Sequence, residues 1–244
     1  MMKVARLICL GLLATASGVG HAGQATSRTT GKERFEVSGI KAVRPTLVNT
    51  IAALKKGEVT KARAAFEDYD SAWNGIEVYI NTRDKNMYDQ LEHHWQAKIE
   101  EGLKSSRPDT AALLSDAQTM LAKYDEAIAM VAKAPPLNPL YDDVARLRIV
   151  RANLREVSPA LKAGNMAKAR RSFAAFEAKL PSVDGLIKAR SQETYDNIEK
   201  GLPQLKSALM PDKPDVDQAV GLVNGVMDKY NMVVTEVTKD ARSR

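Results

Sequence analysis

Asp70 and Glu77 stand seven residues apart in a stretch with helical apolar spacing, and Glu92 follows in the next such stretch. Measured from an apolar stripe running through Phe66, Glu77 lies about 60° and Asp70 about 80° from its centre, so both occupy one shoulder of the helix. Glu92 sits roughly 70° off its own stripe. Two carboxylates from one helix and a third from its neighbour supply oxygen ligands of the kind that iron and hard cations take, with the helices fixing their separation. The pattern returns 107 residues later as Glu177, Asp184 and Glu199, with the first two identities exchanged, so each copy offers half a site. A competing reading has these flank carboxylates paired with basic residues, Arg83 with Glu92 and Arg190 with Glu199, or simply solvated.

Nitrogen donors are scarce. His93 and His94 are adjacent, so they cannot share one helical face as a zinc-binding pair does. His93 points away from the apolar stripe. His94 lies on a shoulder, and joins Asp70, Glu77 and Glu92 in the metal-ligand candidates, which in the second copy are Glu177, Asp184 and Glu199. The second copy has Lys200 and Gly201 where the first has the histidines. Tyr88, Tyr124, Tyr195 and Tyr230 fall on apolar stripes, where a buried phenol locks a bundle by finding an acceptor. No nucleophile elbow, phosphate-cradling glycine loop, His-Glu-x-x-His or dinucleotide fingerprint occurs, and the chain does not read as an enzyme. No organic cofactor is expected.

These residues are carried by a sequence written twice. Residues 55–92 match 162–199 without a gap, including Gly57/Gly164, Lys61/Lys168, Arg63/Arg170, Phe66/Phe173, Arg83/Arg190, Tyr88/Tyr195 and Glu92/Glu199. After a one-residue shift the match resumes at an offset of 106 with Pro108/Pro214, Lys123/Lys229 and Tyr124/Tyr230. A period near 107 argues against tetratricopeptide repeats, whose unit is about 34 residues. The stripe Ala62, Phe66, Tyr69, Trp73, Ile76, Ile80 has its counterpart in Ala169, Phe173, Phe176, Leu180, Val183, Ile187, one helix face in duplicate. Val43, Leu47 and Leu54 precede it, Tyr88, Leu91 and Trp95 follow, and Leu114, Ala117, Leu121, Tyr124, Ile128 and Val131 form the last stripe, each with a counterpart in the second copy. The predicted fold is therefore all-α: two tandem four-helix up-down bundles related by internal duplication, at 40–133 and 140–240, joined by the proline-rich linker 134–139. Gly57 and Gly164 punctuate the first turn, and Pro108-Asp109 and Pro214-Asp215 begin the fourth helix. Pro159 is expected to kink or break the first helix of the second copy, and Pro181 to disturb its second, making that copy the less regular one.

The amino terminus reads as an export signal. Lys3 and Arg6 precede the apolar run Leu7–Ala16, and Gly20-His21-Ala22 offers a signal-peptidase site, giving a cleaved signal at 1–22 and a periplasmic mature protein. Residues 23–39, rich in Thr, Ser and Gly, read as a disordered leader. Cys9, the one cysteine, lies within the signal, leaving no disulfide, thiolate ligand or cysteine nucleophile afterwards. The run is too short to span a bilayer, and no other segment is apolar enough to do so. Removing Lys3 and Arg6 from the 36 basic residues leaves 34 against 30 acidic ones, with the signs interspersed, so no nucleic-acid stripe is seen.

The succession Gly57-x3-Lys61-Ala62-Arg63-x2-Phe66, then Trp73, Ile76 and Glu77, then Thr82-Arg83-Asp84-x3-Tyr88-x2-Leu91-Glu92, resembles the extracytoplasmic helical region of bacterial high-affinity iron permeases. Gly164 to Glu199 resembles it too, and the likeness covers most of 40–133 and 140–238. The permease's own membrane part and its Arg-Glu-x-x-Glu motif are not found in this sequence. The resemblance implies a stand-alone periplasmic protein related to metal uptake, binding iron or another divalent cation and handing it to a membrane metal permease. The alternative is a non-catalytic helical interaction module that docks on a permease or another envelope protein.

Overall fold

The computed structural model describes residues 33–243. The segment read as an export signal, its expected cleavage site and most of the expected leader lie outside that range. Among the described residues the chain is all-helical, without strands. α1 (Phe35–Lys55) and α2 (Val59–Ile76) are joined by a tight turn, and α3 (Val78–Asn81) and α4 (Lys85–Asp89) lead into a widened π-helical turn, Gln90–Gln96. α5 (Ala97–Lys104) and α6 (Thr110–Lys133) complete the first half. The second half runs through α7 (Leu140–Arg155), α8 (Val157–Lys162), α9 (Met166–Lys179), α10 (Asp184–Lys188), α11 (Gln192–Leu209) and α12 (Val216–Ser243).

The halves repeat specific contacts. Gly57 and Gly164 both adopt φ of 69°, a left-handed turn that a Cβ would strain, and each lets the chain reverse after the first helix. The Tyr124 hydroxyl donates to the Ile40 carbonyl at 2.7 Å, and the Tyr230 hydroxyl to the Leu147 carbonyl at 2.9 Å, tying the last helix of each half to its first. Arg63 bonds the Leu103 carbonyl at the end of α5, and Arg170 the Leu209 carbonyl at the end of α11. Asp109 caps α6 by accepting from Ala111 and Ala112, and Asp215 accepts from Gln218 at the start of α12.

One hydrophobic cluster runs through both halves, and α2 lies against α7 at the seam. Gly75 makes that approach possible, because a Cβ there would sit 3.2 Å from the Ile149 backbone and collide with its side chain. The linker at 134–139 is non-helical, as its prolines dictate. Carbonyls at its start and at the end of α6 are held by Arg34, which reaches Val131 and Ala134, and Pro135 O accepts from Arg83.

Several expectations need correction. α1 starts at Phe35, inside the segment read as leader, and buries Glu36 and Val37. The buried stripe of α6 is Leu113, Ala117, Met120, Tyr124, Ala127 and Val131; Leu114, Leu121 and Ile128 are only half-buried, so the helix is rotated by part of a turn. Pro159 ends α7 at Arg155, where its ring displaces the helical bond, and Pro181 turns the end of α9 into a 3-10 turn. Pro45 and Pro203, by contrast, sit within continuous helices. The first half is no more regular than the second, since it carries the π turn.

Candidate functional site

The π turn follows from the change of offset. Leu91 corresponds to Ile198, but Ile99 and Leu103 correspond to Leu205 and Leu209, so the first half holds one extra residue between them. An α-helix absorbs such an insertion by widening one turn to an i→i+5 pattern. Leu91 and Gln96, five apart, are consequently both buried, and Trp95, expected in the core, is half-exposed. Gln96 takes the place that Leu202 fills in the second half, putting an amide where the repeat has an aliphatic side chain.

That amide faces the acidic shoulder of α2. Gln96 Nε2 donates to Asp70 Oδ1 at 2.7 Å and lies 3.4 Å from Glu100 Oε1, while its buried Oε1 has no partner among the described residues. The Trp73 indole N–H donates to the Glu92 carboxylate. Glu77 Oε1 accepts from Arg148 of α7 at 3.0 Å. Between them the wholly buried Tyr69 hydroxyl is also unpartnered. Tyr69, Trp73 and Tyr88 stack in sequence, with centroids 5.9 and 6.3 Å apart. A cleft of about 240 Å³, lined by Phe66, Asp70, Glu100 and Lys168, opens the Asp70 end to solvent.

Burial governs the electrostatics. It raises Glu77 to about 7, against the opposing pull of Arg148 and with help from Glu92. Glu92 is raised by burial, partly offset by the indole N–H, and Asp70 by burial and the Glu100 charge. Tyr88 is pushed up to about 12 by burial and by Glu77 and Glu92. All three carboxylates thus hold a proton harder than they would in water because burial disfavours their charged forms, Glu77 doing so against the pull of Arg148, Arg151 and Arg155.

Asp70, Glu77 and Glu92 are brought to one side of the first half, but the other candidates do not join them. His94 is exposed and stands edge-on to Trp95 at 4.6 Å. In the second half Glu177 accepts from Lys206 at 3.3 Å, Asp184 pairs with Lys188 at 2.9 Å, and Glu199 is exposed on α11. The pairing expected for the arginines is also different: Arg83 bonds the buried Glu36 at 2.5 Å, and Arg190 bonds Asp240. Among the described residues no group of three or more Asp, Glu, His or Cys side chains is arranged to hold a metal ion. Sequence reasoning missed Tyr69, Gln96, Glu100 and Arg148; the offset change and a glutamine on an apolar stripe were the available signals.

No known protein family, curated protein or solved structure was found to match this chain. Among the described residues no helix is long and apolar enough to cross a membrane.

Proposed function

We propose that this chain is an exported, non-catalytic helical protein built as two tandem four-helix units of one duplicated sequence, and that its first half holds a divalent cation, iron foremost, for hand-over to a membrane permease. The observation that carries the reading is the set Asp70, Glu77 and Glu92, three part-buried carboxylates on one side of α2 and the π turn, each with raised proton affinity. A carboxylate taken out of water recovers lost solvation by binding a proton or a metal ion. A cation would draw Glu92 from the Trp73 indole and Asp70 from the Gln96 amide, and the free Gln96 Oε1 and Tyr69 hydroxyl lie beside them as further oxygen donors. The lysine-paired Glu177 and Asp184 support assigning the cation to the first half alone.

The test is the melting temperature of the chelated mature protein with Fe(II), Fe(III), Mn(II), Zn(II) and Cu(II) added singly. An ion at a hundred times its Kd adds about 2.7 kcal/mol. A selective rise that is lost in Glu92→Gln and Asp70→Asn supports the reading; no rise with any ion refutes it.

One observation favours the docking reading. At the seam, a groove of about 610 Å³ is lined by Phe35, Gly39, Ala42, Ala72, Ile76 and Ile149, small and apolar residues suited to a segment of an envelope partner. In-cell crosslinking from position 42, absent any metal-dependent melting shift, would favour it.

A further inference from the structure

The two halves place the same arginine in the same contact and give it different partners. Arg44 on α1 donates from Nε and Nη2, side by side, to the two carboxylate oxygens of Asp125 on α6 at 2.6 and 2.9 Å. Arg151 occupies the corresponding turn of α7, and Asn231 stands on α12 where Asp125 stands on α6. The adjacent phenols fix this correspondence, since Tyr124 bonds Ile40 and Tyr230 bonds Leu147. Arg151 donates from Nη1 to the Asn231 amide oxygen at 2.9 Å, while its Nε, the atom with which Arg44 grips its carboxylate, is buried without a partner among the described residues. The repeat has kept the guanidinium and exchanged its counter-charge for an amide.

Two further arginines make the imbalance larger. Arg148, Arg151 and Arg155 share one face of α7 over two turns, where α1 has Lys41, Arg44 and Val48. Arg148 Nε is likewise buried and unpartnered. Among the described residues the one ion pair of these three guanidiniums is that of Arg148 with Glu77; Arg155 donates to the Asn74 amide oxygen. Burial and its arginine neighbours lower Arg151 to about 10, whereas Asp125 raises Arg44. Stacked, partly desolvated like charges destabilise a fold until an anion reaches them.

We propose that the face of α7 formed by Arg148, Arg151 and Arg155, bordered by Asn74 and Asn231, is a binding site for a phosphate group. A carboxylate satisfies one guanidinium fork, as Asp125 does for Arg44. A tetrahedral dianion has the oxygens and charge for two forks and a third contact. Arg155 is exposed and gives the anion its approach, and the half-buried Arg148 and Arg151 each keep an Nε without a partner among the described residues.

The experiment uses the mature protein with chelator present, which separates this site from the cation cluster. Orthophosphate at a hundred times its Kd raises Tm by roughly 5–10 °C for a chain of this length, and chloride at equal ionic strength does not. Asn231→Asp, which rebuilds the pair of the first half, melts above the wild type in phosphate-free buffer and has lost the phosphate shift. Arg155→Gln, at an exposed position, keeps the fold and weakens phosphate about tenfold. Sedimentation with phosphatidylcholine vesicles containing phosphatidic acid distinguishes the sources: binding that Asn231→Asp abolishes assigns the phosphate to a lipid headgroup, and a phosphate shift without vesicle binding assigns it to a free phosphate. The proposal is overturned if neither orthophosphate nor the vesicles act on the wild type, or if both variants respond as the wild type does.

Discussion

Glu77 makes the stability of this protein depend on pH in the direction opposite to that of an ordinary paired carboxylate. Its folded value of about 7 lies above the 4.5 of an unperturbed glutamate, with burial outweighing Arg148. The folded state therefore holds this proton more tightly than the unfolded chain does. The associated stability is fully present below pH 4.5 and is lost as pH rises through 7. The displacement corresponds to about 3 kcal/mol across that window. Groups facing Glu77 are Arg148, Arg151 and Arg155 from α7, Glu92 from the π turn and Tyr88 from α4; of these Glu92 is a second carboxylate that burial raises, so it adds to the pH dependence with the same sign. In Glu77→Gln the amide still accepts from Arg148, and the titration is gone. Melting curves from pH 5 to 8.5 should show the wild type losing roughly 6–12 °C relative to the variant. A variant whose Tm follows the same pH profile as the wild type would refute the assignment, and with it the claim that burial outweighs the guanidiniums at this carboxylate.

Other substitutions test the packing and the site. Gly75→Ala forces α2 from the Ile149 backbone of α7 and should cost about 1–3 kcal/mol in urea unfolding; a neutral outcome would contradict the close seam. Gly57→Ala and Gly164→Ala should each cost about 1 kcal/mol, because both turns are left-handed, and the two costs should be alike and additive. Trp73→Phe removes the indole donor from Glu92 and should destabilise by about 1.5–3 kcal/mol where Glu92 is ionised, with a smaller loss as falling pH protonates it.

Much of the scaffold was legible from spacing alone. The stripe from Ala62 to Ile80 across α2 and α3 and its α9–α10 counterpart are buried as their 3.6-residue period requires. Pro159 and the linker prolines interrupt helices by removing a donor, whereas Pro45 and Pro203 sit within helices that continue through them. The α6 stripe was misjudged because Leu114, Leu121 and Ile128 are as apolar as the buried residues beside them, and periodicity alone does not fix rotation when the apolar arc is wide. For the site, the shared shoulder of Asp70 and Glu77 is a property of one helix and could be read from it. Which basic residue meets which acid depends on how helices pack, across the seam for Arg148 with Glu77 and within the first half for Arg83 with Glu36, so neither pairing follows from a local argument. The π turn left a trace, the step from 107 to 106 in the repeat, yet only the fold places that extra residue beneath Asp70.

The most direct test of the central claim is the number of iron ions retained per chain after equilibrium dialysis of the protein from Gly23 onward. The account predicts one, held by the first half and lost in Glu92→Gln, with Glu177→Gln unchanged. Two ions per chain, none, or one that survives Glu92→Gln would contradict it.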